Sequence, residues 1–120
     1  VGTAPTTLWN TAGAEVNQNS NITVATTGNA TVDSFYANTY SSAEYLITST
    51  LSGTNIREIA KVLVVTDGTN AYRTVYGVSS TTGNILTNWS ANVVSGSVTL
   101  WATPSNANTI YRVKKDYQAI

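Results

Sequence analysis

The stretch K-V-L-V-V-T-D-G-T-N-A-Y-R-T-V-Y, residues 61–76, decides the fold. An apolar, β-branched run at Val62–Val65 precedes the turn pair Asp67-Gly68, and polar and apolar side chains alternate after it. Two such runs around an Asp-Gly pair are typical of a β-hairpin. Because alternate side chains of a strand lie on opposite faces, Val62–Val65 is apolar on both faces. This indicates a central strand, our preferred interpretation, or a strand that a neighbouring subunit covers.

Similar segments continue on both sides of this hairpin. Ser95-Gly96 predicts a second tight hairpin, and Gly-, Asn- and Pro-containing turns separate the other segments at the spacing of a sandwich or barrel. We predict an all-β, antiparallel β-sandwich of about eight strands, of which a jelly roll is one form. The predicted strands are 31–37, 43–51, 56–66, 71–79, 84–89, 91–94, 97–103 and 109–117.

Two regions differ in their density of large apolar side chains. Residues 1–30 are rich in Thr, Asn, Ala and Gly and have few anchors, so we predict a partly extended N-terminal arm that docks or assembles. Residues 31–120 carry the strand pattern and form the predicted sandwich domain.

The composition indicates the kind of surface that this chain presents. Thr, Ser and Asn number 21, 12 and 13, so they make up 46 of the 120 residues and supply β and turn formers. Such uncharged polar surfaces are typical of extracellular fibres, adhesins and virus particles. Six basic residues balance six acidic ones, which gives no positive field for nucleic acid.

Catalytic side chains are scarce. The chain has no His and no Cys, which removes the usual general base, zinc ligands and thiolate nucleophiles. Its six carboxylates are scattered singly, away from the spacing of a calcium loop. We therefore predict no enzyme, no cofactor and no metal, while a carboxylate pair that forms only on folding stays an open alternative.

No apolar run has the length that spans a membrane, and the N-terminus lacks the pattern of a signal peptide. We predict no membrane partner. The chain contains no Met, which indicates that a leader has been removed before Val1 or that the chain is a piece of a longer protein.

Five motifs carry a resemblance to a known class of proteins. They are V-D-S-F at Val32–Phe35, Y-S-S-A-E-Y-L at Tyr40–Leu46, the hairpin Lys61–Tyr72, S-G-S-V-T-L at Ser95–Leu100 and the closing strand Thr109–Ile120. Together they make residues 32–120 resemble a virion structural β-domain of tailed bacteriophages of the cyanophage type. The resemblance implies a tail-fibre, neck-appendage or capsid-surface protein of the virion that assembles as a homo-oligomer.

Three functions follow as hypotheses. The first is a non-enzymatic structural or capsid-decoration module that docks to itself, with a trimer expected, and to other virion proteins. The second is a receptor-binding module for host surface polysaccharide, which an aromatic-lined groove with convergent amides would support. The third is a subunit of an extracellular filament assembled by strand donation.

Three Trp residues are the candidate residues of a subunit interface or a ligand face: Trp9, Trp89 and Trp101. Strand Trp residues more often lie in a core or an interface than on a sugar site. Alternation places Trp101 opposite the face formed by Val98 and Leu100, so we expect it at a subunit contact. Trp9 is the expected anchor of the arm in a partner.

Overall fold

The computed structural model describes residues 7–10 and 15–120, with side chains from Ser20 onward. Within these residues the chain forms nine β-strands. They are β1 (Thr7–Asn10), β2 (Glu15–Val24), β3 (Ala30–Tyr36), β4 (Tyr40–Leu51), β5 (Arg57–Thr66), β6 (Ala71–Ser80), β7 (Thr87–Val94), β8 (Ser97–Pro104) and β9 (Thr109–Ala119).

The strands form two antiparallel sheets. The large sheet has the order β1-β2-β9-β4-β5-β6, and the small sheet has the order β3-β8-β7. The predicted all-β antiparallel sandwich is confirmed, although six and three strands differ from the four and four of a jelly roll. The described residues include no helix of the length and apolarity that would cross a membrane.

The two predicted hairpins form at the expected dipeptides. Val94 pairs with Ser97 across a two-residue turn in which Ser95 and Gly96 have φ of 50° and 81°. Positive φ at both positions is the geometry of a type I′ turn. The turn at Asp67-Gly68 is longer, with residues 67–70 between paired strands, because the Asp67 carboxylate accepts the N–H groups of residues 69 and 70 at 2.9 and 2.7 Å.

The predicted segments 84–89 and 91–94 are one strand, β7. Its pairing with β8 runs without a break from Thr87 opposite Pro104 to Val94 opposite Ser97. Ser90 therefore continues the alternation as an exposed residue between half-buried or buried neighbours. Ser is a common turn residue, but at this position the unbroken pairing with β8 keeps Ser90 in the strand.

Part of the predicted arm lies in the large sheet. Glu15–Val24 pairs with β9 over ten consecutive positions, from Glu15 opposite Gln118 to Val24 opposite Thr109. The docking or assembly role of residues 1–30 stays a prediction.

The core lies between the two sheets. Tyr45 and Ile47 of β4, Val62 of β5, Leu100 of β8 and Tyr111 of β9 are each at most 1% exposed. Burial of large apolar side chains stabilises a domain of this size by roughly 25 cal/mol for each Å² removed from water. In β5, Val62 and Val64 face this core.

A β-bulge in β3 places an acidic residue in the core. Thr31 pairs with Trp101 and Asp33 pairs with Leu100, so Val32 is an extra residue without a partner in β8. Bulges of this kind redirect the side chains that follow them. As a result Asp33, only 8% exposed, lies between the sheets.

Candidate functional site

The exposed face of the large sheet carries a row of apolar side chains on β5 and β6. Ile59, Leu63 and Val65 of β5 are 41%, 41% and 51% exposed, and Tyr72 and Tyr76 of β6 are 57% and 40% exposed. Val65 pairs directly with Tyr72, so these two side chains adjoin across the strands, while Lys61, opposite Tyr76, lies on the same face between Ile59 and Leu63. We call the five apolar residues the outer patch. β5 is hydrogen-bonded on both sides, as predicted for a central strand, yet the described residues leave its second face uncovered.

A groove of about 560 Å³ begins at the outer patch and extends over β4 and β9. Glu44 of β4 lies directly opposite Asp116 of β9, and the neighbouring pair is Ser42 and Gln118. All four residues line the groove together with Tyr72. Folding thus brings two carboxylates together, the alternative that the sequence left open.

The two carboxylates have different partners. Glu44 Oε2 lies 3.8 Å from Lys61 Nζ in an exposed ion pair, which contributes little to stability. Asp116 Oδ1 is buried and has no hydrogen-bond partner among the described residues. Like charges on directly opposite residues destabilise a sheet, so this arrangement costs stability.

A second cluster of charged and polar groups, around Asp33, ties the two sheets together. Asp33 Oδ1 accepts from Lys115 Nζ at 2.7 Å, and Asp33 Oδ2 accepts from the hydroxyl groups of Tyr45, at 2.7 Å, and Tyr117. Burial and the negative charge of Asp33 raise the pKa of both Tyr45 and Tyr117 far above the usual value. Every partner faces the core, so this cluster stabilises the fold and is closed to a ligand.

The third feature is a cleft of about 290 Å³ where the edge strand β6 approaches the edge strand β7. Arg73 Nε donates to the carbonyl oxygen of Trp89 at 2.7 Å, and Leu86 N donates to Glu58 Oε2 at 2.7 Å. Glu58 is only 3% exposed. Burial raises the pKa of its carboxyl group, and the hydrogen bond from Leu86 partly offsets this effect.

The three predicted Trp residues occupy different environments. Trp9 belongs to β1, and its side chain lies outside the described residues. Trp89 is 5% exposed and lines the cleft. Its ring packs edge-on against Tyr111, with the ring centroids 5.5 Å apart. Trp101 is half-buried and alternates with the buried Leu100, as predicted. Their assignment to an interface or a ligand face stays a prediction.

Glu44, Glu58 and Asp116 were not predicted from the sequence as site residues. Glu58 lies an even number of residues from Val62 and Val64 in β5, so strand alternation could have predicted that it faces the core with them. The Glu44 and Asp116 pair depends on the register between β4 and β9, which no local pattern encodes. Within the described part of the chain, no group of three or more His, Cys, Asp or Glu side chains comes together to hold a metal.

No protein-family model and no curated protein match this sequence. The fold is similar to parts of solved phage tailspikes. The tailspike protein of Acinetobacter baumannii phage AM24 matches 91% of this chain with a TM-score of 0.58 and 10% identity. Tailspike protein gp49 of Acinetobacter baumannii bacteriophage Fri1, a capsular polysaccharide depolymerase, matches 98% of it with a TM-score of 0.56 and 12% identity.

These likenesses bear on two predictions from the sequence. The chain spans only 27% and 20% of the lengths of the two tailspikes. A fold shared with phage tail proteins agrees with the resemblance at the level of architecture, and the cyanophage type stays a prediction. The prediction that the chain is not an enzyme is contradicted, because a module of this fold forms part of a depolymerase. The absence of His and Cys is a property of these 120 residues alone, and they span only 20% of the depolymerase.

Proposed function

We propose that this chain is a β-sandwich module of a phage tail protein of the virion, and that it assembles with copies of itself through the outer patch. The observation that carries the proposal is the exposure of five large apolar side chains on two adjacent strands. Contiguous exposed apolar surface marks sites of protein association, whereas single exposed apolar residues do not.

The chemistry of the outer patch favours a protein partner over a sugar. Three of its five members, Ile59, Leu63 and Val65, are aliphatic and lie on one strand. Aliphatic surface gains most when it packs against other aliphatic surface, while sugar-binding faces rely on aromatic rings and directed hydrogen bonds. Charged residues flank the outer patch on β4 and β9 and would form the rim of such an interface.

The experiment compares two valines of nearly equal exposure. Val65, 51% exposed, belongs to the outer patch, and Val94, 48% exposed, lies at the end of β7 in the small sheet. Light scattering at several concentrations should give a closed oligomer, expected to be a trimer, for the unchanged chain. We expect Val65→Lys to raise the concentration for half-assembly at least about tenfold, the effect of losing about 1.4 kcal/mol, and Val94→Lys to leave it unchanged. A chain that is monomeric throughout, or equal effects of both substitutions, would contradict the proposal.

A second candidate function is the binding of host polysaccharide in the groove. The specific observation is the convergence of an exposed Tyr72, the amide of Gln118 and the carboxylates of Glu44 and Asp116 on one concave surface. Aromatic rings and a few directed polar groups are the usual elements of a sugar site. Two facing carboxyl groups are also the minimum set for glycoside hydrolysis.

Capsular polysaccharide immobilised on a biosensor tests this second function. Binding should fall at least fivefold in Tyr72→Ala and stay unchanged in Tyr36→Ala, since Tyr36 is an exposed tyrosine of the small sheet. Following the release of reducing ends in the same incubation tests for cleavage, and Glu44→Gln and Asp116→Asn then test both carboxylates. Equal binding by both Tyr variants would exclude the groove as the site.

A further inference from the structure

We propose that the cleft between β6 and β7 binds one uncharged, hydroxyl-bearing ring, such as a single sugar unit. The cleft lies at the opened edge of the sandwich, apart from the outer patch, so the proposal does not depend on self-association. Three observations carry it: a volume for a small ring, a buried carboxyl group and a buried donor without a partner.

The buried donor is the indole N–H of Trp89. Trp89 lines the cleft and is 5% exposed, yet its Nε1 has no hydrogen-bond partner among the described residues. A buried donor without an acceptor costs about 1–3 kcal/mol. A ligand hydroxyl that accepts from Nε1 would recover this cost. Because Nε1 is covered in the structure, the ligand must displace a side chain at the rim, and Ile85 is the most exposed large apolar residue there, at 65%.

The buried acceptor is Glu58. Its Oε2 accepts from Leu86 N, which fixes the carboxyl group and leaves Oε1 available to a ligand hydroxyl. Arg73 is held in the same way, since its Nε donates to the carbonyl oxygen of Trp89 and its terminal nitrogens remain to donate. Groups whose positions are already fixed bind a ligand with a smaller entropy cost.

The lining selects the class of ligand. A volume of about 290 Å³ admits a single six-membered ring, and Val75, Val78 and Ile85 supply an apolar wall. A sugar ring has an apolar face and a rim of hydroxyls that both donate and accept, which matches this combination. A neutral ring with hydroxyl groups can accept from Arg73 and donate to Glu58, whereas a carboxylate or phosphate would pair with Arg73 but has no proton to donate to the Glu58 carboxyl group.

The indole N–H signals in a ¹H–¹⁵N correlation spectrum test the site directly. The chain has three Trp residues, and Trp89→Phe and Trp101→Phe assign two of the three signals. Titration with glucose, galactose and N-acetylglucosamine should shift the Trp89 signal in a saturable manner for at least one sugar. The Trp101 signal, from the outer face of the small sheet, should not move.

A pair of carboxylate variants provides the second arm. Glu58→Gln keeps an oxygen that accepts from Leu86 N but loses the charged acceptor, so we expect the affinity from the same titration to fall about tenfold. Asp67→Asn, in the turn between β5 and β6 and outside the lining of the cleft, should leave it unchanged. A Trp89 signal that no sugar moves, that acetate or phosphate moves equally, or that responds alike in both variants would overturn the proposal. None of these results alters the mass measured by light scattering, so the self-association proposal is judged separately.

Discussion

Removal of the Asp33 carboxylate should be the most damaging single change in the core. Asp33→Ala deprives Lys115 Nζ of its anionic partner, and the hydroxyl groups of Tyr45 and Tyr117 lose the acceptor that they share. The side chain of Lys115 is only 12% exposed, so the ammonium group cannot regain full hydration without moving. The substitution therefore leaves one charge and two hydroxyl donors uncompensated between the sheets.

The magnitude follows from the cost of breaking a buried ion pair by removing one partner, about 3–5 kcal/mol. Because Lys115 retains some contact with water, we expect a value near the lower end, about 3 kcal/mol. Domains of this kind are typically stable by about 5–15 kcal/mol, so the loss is a large fraction of the total. With a urea dependence of about 2 kcal/mol per molar, the midpoint of unfolding should fall by about 1.5 M.

Urea unfolding followed by Trp fluorescence measures this shift, because Trp89 is buried against Tyr111. Lys115→Met is the matched variant: it leaves Asp33 with both tyrosine donors and should cost less, about 1–2 kcal/mol. Combining it with Asp33→Asn removes both charges, and the double variant should be more stable than the sum of the single effects predicts. A loss below about 1 kcal/mol in Asp33→Ala, or strict additivity in the double variant, would refute the reasoning.

Three further predictions concern pH and the turns. Burial raises the pKa of Glu58, so this residue stabilises the fold below the ordinary pKa of Glu and loses that contribution as pH rises through the raised value. The melting temperature should therefore fall above about pH 4.5, and Glu58→Gln should flatten this fall. An unchanged slope of melting temperature against pH would contradict the raised pKa. Burial also raises the pKa of Tyr111 to about 12, so stability should decline from about pH 10 upward. In thermal melts Tyr111→Phe should reduce that decline, and the control Tyr36→Phe should not. In the type I′ turn, Gly96→Ala should lower the free energy of unfolding in urea by about 1–2 kcal/mol, because Ala tolerates positive φ poorly. Ser95→Asn should leave it unchanged or raise it, because Asn tolerates positive φ. Equal effects of both substitutions would show that positive φ does not control the stability of this turn.

Most of the strands could be predicted because their signals are local. Alternation in β6 and β8, and turn dipeptides such as Ser95-Gly96, specify extended chain and reversal within a few residues. The predicted boundaries in residues 31–120 differ from the observed ones by at most a few positions, except where Ser90 was taken as a break. The conformation at each of these positions follows from its immediate neighbours.

The candidate sites could not be predicted to the same extent because they depend on register between distant strands. Glu44 meets Asp116 only because β4 pairs with β9, and the cleft exists only because β6 approaches β7 from the other sheet. The uncovered outer patch is also a property of the whole sandwich. Its sequence signal, Val62–Val65 apolar on both faces, was interpreted in preference as that of a central strand.

The bulge at Val32 has a consequence for finding relatives of this chain. Up to the bulge the inward-facing positions of β3 are the even-numbered Ala30 and Val32, and after it they are the odd-numbered Asp33 and Phe35. An alignment drawn through this strand without a gap would match core residues to surface residues on one side of Val32 whenever the compared protein has a regular strand. At identities of 10–12% the residues themselves do not reveal such a slip. Alignments of this chain therefore require a one-residue gap to be allowed at Val32, so that Asp33 is compared with the core position that it occupies.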